Sequence, residues 1–450
     1  MSKHLGVYGY YQIKNTNNQY AIFHISNFTE PITKWWNYID SDSFFKGKSP
    51  YYIATNKDGN QAIFHIDNPE QPVSQWWKEI YPHGLVHGRS EYYMVRNNQG
   101  LEAIFHVSNP NQPVSRWWKS IFSYGLVSGY SEYYRVTDKD GYEAIFHISN
   151  PEQPISQWWK WIEEKGLIEG DSDYYIAGFR NHQNDPWRHA IFHKDNPDEP
   201  VSQWWSGIYH SGLIYNESEY YVVRDSHRQH AIFHKDHPHE PITQWWNDIE
   251  MAGFIKGESQ YYLAQNQDEK WAIFHIDNPY EPLTNWHGYI YPFGIVNNTS
   301  ECYVVIEKGS STIKIYHHSD IFKPIYEISK INTSLLLYVN EQFAFYLTKK
   351  YLMMYDGVNM QRNVLGKLPK HLQLYEYRIK ERITSQLIAN YMDYGFIPIV
   401  FCDMSNNMCH LFTKNGDFID SFKSVKDAIQ YMQQEIIKNN NLSNEIFRLY

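Results

Sequence analysis

Seven histidines recur along the first two thirds of this 450-residue chain, each closing the segment Ala-Ile-Phe-His: His24, His65, His106, His147, His193, His234 and His275. Imidazoles placed so regularly could bind metal ions or anions. A metal site, however, needs ligands converging at about 2 Å, and histidines one repeat apart in an extended array lie too far apart to share an ion. In an alternating strand His65 shares a face with Ile63, while Ala62 and Phe64 share the other. The ring is then placed to bond a neighbouring backbone group as part of a structural ladder. The second tyrosine of a recurrent Tyr-Tyr pair reads the same way, at Tyr11, Tyr52, Tyr93, Tyr134, Tyr175, Tyr221, Tyr262 and Tyr303. No Gly-rich phosphate loop, HExxH, GxSxG or CxxC occurs. The carboxylate pairs Glu163-Glu164 and Asp417 with Asp420 read as solvated surface, and Cys302, Cys402 and Cys409 have the spacing of neither a zinc site nor a disulfide framework. The expectation is a chain without catalytic residues, cofactor or bound metal.

Binding chemistry is concentrated elsewhere. The histidines follow one another at 41, 41, 41, 46, 41 and 41 residues, and the five extra residues of the longer step lie between Tyr175 and Ala190, within Phe179–His189. Surface loops tolerate insertion and carry function. This one holds Arg180, His182, Trp187 and Arg188, and an exposed aromatic beside arginines has the make-up of an interface hot spot. The corresponding stretch of the next copy holds Arg224, His227 and Arg228 and is expected to lie alongside. These seven residues are the candidate partner-binding set. The plainer reading is that a longer loop is drift.

The elements that must position these loops follow from the repeat. Self-similarity at a fixed period marks an architecture in which each unit leaves an apolar face that its neighbours cover. In the second copy Tyr51–Ala54 and Gln61–Ile66 read as the strands of a hairpin turned by Lys57–Asn60. Pro72–Ile80 reads as a short helix opened by proline and ended near Gly84. On such a helix Val73, Trp76 and Ile80 share the core face, and Trp77, about 100° further round, packs against the following unit or faces solvent. The predicted unit is therefore β-β-α. The predicted fold is α+β, a curved or ring-like stack of seven such units over residues 1–302, with a degenerate eighth copy over 303–329. The first and last copies should be the irregular ones, with Asn27-Phe28 replacing Asn-Pro and His287 replacing the second tryptophan. A closed ring resembling a β-propeller is the main alternative, favoured if no helix forms at 72–81. No tryptophan occurs beyond Trp286, and residues 330–450 read as a smaller α+β domain. Its strands are expected at 334–339, 343–347, 397–401 and 408–412, and its helices at 371–394 and from Ser424.

Charge and composition then bound the function. Residues 1–300 carry 23 basic against 35 acidic side chains and residues 301–450 carry 17 against 15, so the array is acidic and the tail nearly neutral. An acidic array argues against nucleic acid as the main ligand, because phosphate binding depends on clustered Lys and Arg. A protein partner of basic character fits better, since acidic surfaces speed encounter with cationic proteins. The leading expectation is a non-enzymatic protein-binding scaffold of the bacterial immunity or antitoxin kind, which neutralises a toxin in the cytoplasm. A carbohydrate-binding repeat protein is the alternative, since Trp and Tyr rings stack on sugars and seven copies give multivalency. A third reading is an enzyme in the tail targeted by the array. No signal peptide and no apolar run long enough to span a bilayer is seen at the sequence level, so a cytoplasmic protein with no membrane partner is expected.

Overall fold

A computed structural model describes residues 9–180, 182, 185–292, 294–298, 300–307, 312–329, 335–339, 341, 343–347, 351–367, 396–403, 408–413 and 418–422. The second copy shows the unit. Strands Tyr51–Thr55 and Gln61–His65 pair antiparallel, with Tyr52 opposite Phe64 and Ile53 opposite Ile63. The turn between them is held by Asn56, whose Oδ1 accepts from the backbone N–H groups of Asp58 and Asn60. Gly59 supplies the left-handed φ of 81° that closes it.

The helix expected over Pro72–Ile80 is absent, and with it the β-β-α unit and the α+β class. The described residues are nearly all β, and the helical elements among them are one turn at Asp42–Phe45 and a short 3-10 segment at Gly253–Lys256. The backbone groups a helix would use internally are taken by strands on both sides. Val73 N–H donates to Ile63 O, and Trp77 and Gln61 exchange N–H···O bonds. Ser74 is the decisive residue, because its buried Oγ accepts from Ile63 N–H at 2.9 Å and donates to Gln75 O, holding the chain extended. Thr33, Ser115, Ser156, Ser202 and Thr284 make the same bond in other copies. A helix of nine residues rich in Val, Trp and Ile is marginal in any case. Glu79–Tyr81 then forms a third strand that pairs with Tyr92–Arg96 of the next copy.

The four-stranded sheet of the second copy packs face to face on the three-stranded sheet of the third. Ile53 and Ile63 of the second copy meet Tyr93, Val95, Ala103 and Phe105 of the third, with Ile80, Leu85 and Val86 from the connection filling the layer between them. Both faces of the inner hairpins are therefore buried, and Tyr52, Tyr93, Tyr134 and Tyr175 have no solvent exposure. The second tryptophan of each pair bridges copies: Trp77 lies 5.2 Å from Phe105 and 5.5 Å from Trp117. The first is the more open ring where the difference is clearest, with Trp76 38% and Trp158 36% exposed, which reverses the order expected from a helix. Polar tethers repeat at the same period. Ser49 Oγ donates to Leu85 O and Ser90 Oγ to Val127 O, while Lys34 pairs with Glu70 and Arg116 with Glu152. Gly84, at φ 76°, sits where a Cβ would come within 2.2 Å of Tyr92 O, so it allows a close approach rather than ending a helix.

The eighth copy is a hairpin of Cys302–Ile306 and Ile313–His317, flanked by Tyr289–Tyr291 and Tyr326–Ile328. His287, in place of the second tryptophan, is 7% exposed and bonds Glu307 at 3.2 Å. Beyond it, Leu335–Val339, Phe343–Leu347, Tyr351–Asp356 and Gln361–Lys367 form a four-stranded antiparallel meander. Phe396–Asp403, Met408–Thr413 and Phe418–Phe422 form a three-stranded one. The helices expected at 371–394 and after Ser424 lie outside the described residues. The chain divides into two compact units, residues 1–228 with 232–241, and residues 242–450 with 229–231. No described helix is long and apolar enough to cross a membrane.

Candidate partner-binding cleft

The recurrent histidine is a turn residue. His106 Nδ1 accepts from Ser108 N–H at 3.2 Å, its Nε2 meets Glu91 at 3.0 Å, and its ring stands edge-on to Tyr92 at 4.9 Å. His65, His147 and His275 accept the same backbone bond from the residue two further on. Among the described residues no group of three His, Cys, Asp or Glu is placed to hold a metal ion.

The inserted residues act on the fifth hairpin by lengthening it. Its strands, Tyr174–Phe179 and Arg188–His193, carry one ladder pair more than their counterparts, Phe179 opposite Arg188. Strand alternation then divides the loop residues between two faces. Trp187 and His189 share one face, their rings 6.2 Å apart and within 14° of parallel. Arg188 points the other way, into a pocket of about 450 Å³ with Pro200, Gln203, Trp204, Pro238 and His239.

On the Trp187 face, three residues at positions that vary from copy to copy meet. Trp161, at the position of Glu79 and Ser120, lies in the third strand opposite Gly178, and its ring meets His189 edge-on at 5.2 Å. Gly178 makes that possible: a Cβ there would meet His189 Cδ2 at 2.8 Å and Trp161 Cε3 at 3.2 Å. At the next third strand the same position is Gly207, paired with Arg224, where the missing side chain leaves space beside the guanidinium. The result is a cleft of about 680 Å³ lined by Trp161, Pro186, Trp187, His189, Ser206, Arg224, Asp225, Ser226 and Arg228.

Of the seven residues expected from sequence, Trp187, Arg224 and Arg228 line this cleft, and Arg180 holds its guanidinium 5.1 Å from the Trp187 ring centre. Arg188 does not join them. His182 is exposed, with its backbone N–H bonded to Asp185, and His227 is exposed with its ring at 3.3 Å from Asp225. Sequence reasoning missed Trp161, Gly178, His189, Ser206 and Gly207. A signal was present: of the sixteen tryptophans, Trp161, Trp187 and Trp271 stand outside the repeated pair, and two of these three share the cleft.

His189 is the titratable group at its centre. Burial holds its pKa below the ordinary histidine value, and Arg224 pushes the same way, against a backbone hydrogen bond at Ser206 and the charge of Glu163. Burial thus favours the neutral ring. Because the folded value is depressed, the stabilisation is present above the unfolded histidine range near pH 6.5 and is lost as pH falls through the folded value. Wild type should therefore lose more stability between pH 7.5 and 5.5 than His189→Gln does, in urea titrations at the two pH values; equal losses would remove His189 as the cause.

No protein-family model matches the chain and no curated protein matches it. Among solved structures it is similar to the crystal structure of a eukaryotic initiation factor, with TM-score 0.31 and 9% identity over 92% of this chain and 96% of that one. It is also similar to the dihydro-heme d1 dehydrogenase NirN in complex with DHE, with TM-score 0.24 and 9% identity over 82% and 74% of the two chains. A third likeness is to Hsv2p of Kluyveromyces lactis, with TM-score 0.20 and 10% identity over 70% and 96%. Likenesses at this level carry no argument about fold or function.

Proposed function

We propose that the chain is a non-enzymatic repeat scaffold that binds a protein partner, with the Trp161–Trp187 cleft as the anchoring site. The observation that carries this reading is that Trp161, Trp187, Arg224 and Arg228 line one cleft. Stacking fixes the residues shared by the seven copies and leaves other positions free to vary, as at Tyr38, Glu79, Ser120, Trp161, Gly207, Asp248 and Tyr289. A place where Trp161, Gly178 and Gly207, all at such free positions, meet the inserted Trp187 is therefore open to serve something other than stacking. Tryptophan and arginine together in a depression are the residue types that dominate binding energy at protein interfaces. The acidic array around them supports long-range attraction of a basic protein. The finer reading is a cytoplasmic bacterial immunity or antitoxin protein whose partner is a toxin.

The test is affinity purification with mass spectrometry to identify the partner, followed by calorimetry on variants. Trp187→Ala should weaken binding at least tenfold with an unchanged melting temperature, and Gly178→Thr, which pushes Trp161 off its seat, should weaken it as much at some cost in stability. Arg188→Ala, facing the other pocket, should matter less. Unaltered affinity in both cleft variants sinks the reading, and binding to a glycan array lost with Trp187 would put a sugar in the partner's place.

A further inference from the structure

We infer that the group the cleft receives is a single carboxylate, an Asp or Glu side chain of the partner, held by Arg224 and Arg228 against the Trp161–His189–Trp187 wall. The inference rests on the reading that the cleft binds a protein. Three observations carry it. First, Arg96, Arg116 and Arg135 each pair with glutamate, whereas Arg224 and Arg228 make no ion pair among the described residues, although both line the cleft. Second, Asp225, the one carboxylate in the lining, is committed to its own turn: Oδ1 accepts from His227 N–H at 2.8 Å and Oδ2 lies 3.3 Å from the His227 ring. The cleft therefore keeps an excess of positive charge within an array that is acidic as a whole. Third, its wall is aromatic, with the His189 ring edge-on to Trp161 at 5.2 Å and stacked on Trp187 at 6.2 Å.

These features select among anions. Arginine matches a carboxylate in a planar, two-pronged geometry. An apolar wall suits a carboxylate on a methylene stem better than a strongly hydrated phosphate. A polyanion such as nucleic acid is disfavoured by the net negative charge of residues 1–300, which acts over the length of a strand but hardly against one side chain. A partner that is basic overall and carries one well-placed acidic anchor satisfies both the field of the array and the cleft.

The full chain labelled with 5-fluorotryptophan reports directly on the wall, with the fluorine resonances of Trp161 and Trp187 assigned from Trp161→Phe and Trp187→Phe. Acetyl-Tyr-Glu-amide should shift both resonances saturably. The shift should weaken at least fivefold with acetyl-Tyr-Gln-amide and in the double variant Arg224→Gln with Arg228→Gln. Equal response to the glutamine peptide, or none to the glutamate peptide, overturns the inference, and saturation by inorganic phosphate alone would reassign the site to phosphate. Partner binding separates this from the wider reading. If Trp187→Ala abolishes binding while the double arginine variant leaves it intact, the cleft stands and the carboxylate falls; if neither variant changes it, the cleft itself is wrong.

Discussion

Trp118→Ala should destabilise the chain by about 3–5 kcal/mol, as loss of a large packed aromatic predicts, and should cost more than Trp117→Ala. Trp118 lies 5.2 Å from Phe146 and 5.6 Å from Trp158, both in the following copy. Its backbone N–H and C=O also bridge to Glu102. Removing its ring opens a void between two stacked sheets, where neither side can collapse without pulling away from its other neighbour. Trp117 packs on Phe105 of its own copy at 6.1 Å and on Trp77 at 5.5 Å, on a side of the repeat where other first tryptophans reach solvent. A helix would have given the opposite order. Urea unfolding of the two variants decides, and a greater loss at Trp117 would mean that the second ring is not the bridge between copies.

A comparable loss, about 3–5 kcal/mol, is expected for Arg135→Ala, because it strands a buried charge. Arg135 has a side chain 5% exposed, bonded to Glu143 at 3.1 Å, Glu164 at 2.8 Å and Ile162 O, with its guanidinium 3.5 Å from the centre of the Phe122 ring. Glu143 cannot simply move away, since its Oε2 also accepts from Ile162 N–H at 2.8 Å. Burial already holds its carboxyl above the usual range against the pull of Arg135. The second copy contains a neutral solution at the same positions, Ile53 and Gln61, with Gln61 Oε1 accepting from Ile80 N–H at 2.7 Å. Arg135→Ile combined with Glu143→Gln should therefore return to within about 1 kcal/mol of wild type, as replacement of a buried pair by neutral groups allows. Additive losses in the double variant, measured in a double-mutant cycle by urea unfolding, would count against this account.

The hairpins were readable because their signals are local: Tyr-Tyr and Ala-Ile-Phe-His alternate around a turn with Gly59 at its tip. The third segment was misread because its conformation depends on partners distant in sequence. Val73, Trp76 and Ile80 fit a helical stripe, but Ser74 answers Ile63 and Ile80 answers Val95. The loop residues of the fifth and sixth copies were found from a break in spacing. The aromatic floor beneath them was not, since Trp161, Gly178 and Gly207 change no spacing and show themselves only when the copies are compared position by position.

From the second copy to the eighth, each repeat sheet takes its first strand from the preceding copy, as when Glu79–Tyr81 joins the hairpin Tyr92–Arg96 and Glu102–His106. The folded block is thus out of phase with the repeat in the sequence. Unequal crossing-over between two copies of the gene segment would add or remove 41 residues, and any such event leaves every sheet complete wherever within the unit the strands of DNA are exchanged. An insertion of any other length splits a sheet from its borrowed strand unless it falls at a hairpin tip, where it only lengthens a ladder. The single irregular step among the seven Ala-Ile-Phe-His copies, 46 residues, falls at such a tip. The geometry of strand sharing thus sets the grammar by which such an array can grow, confining inherited change in length to whole units and leaving the tips as the place where new contacts can arise.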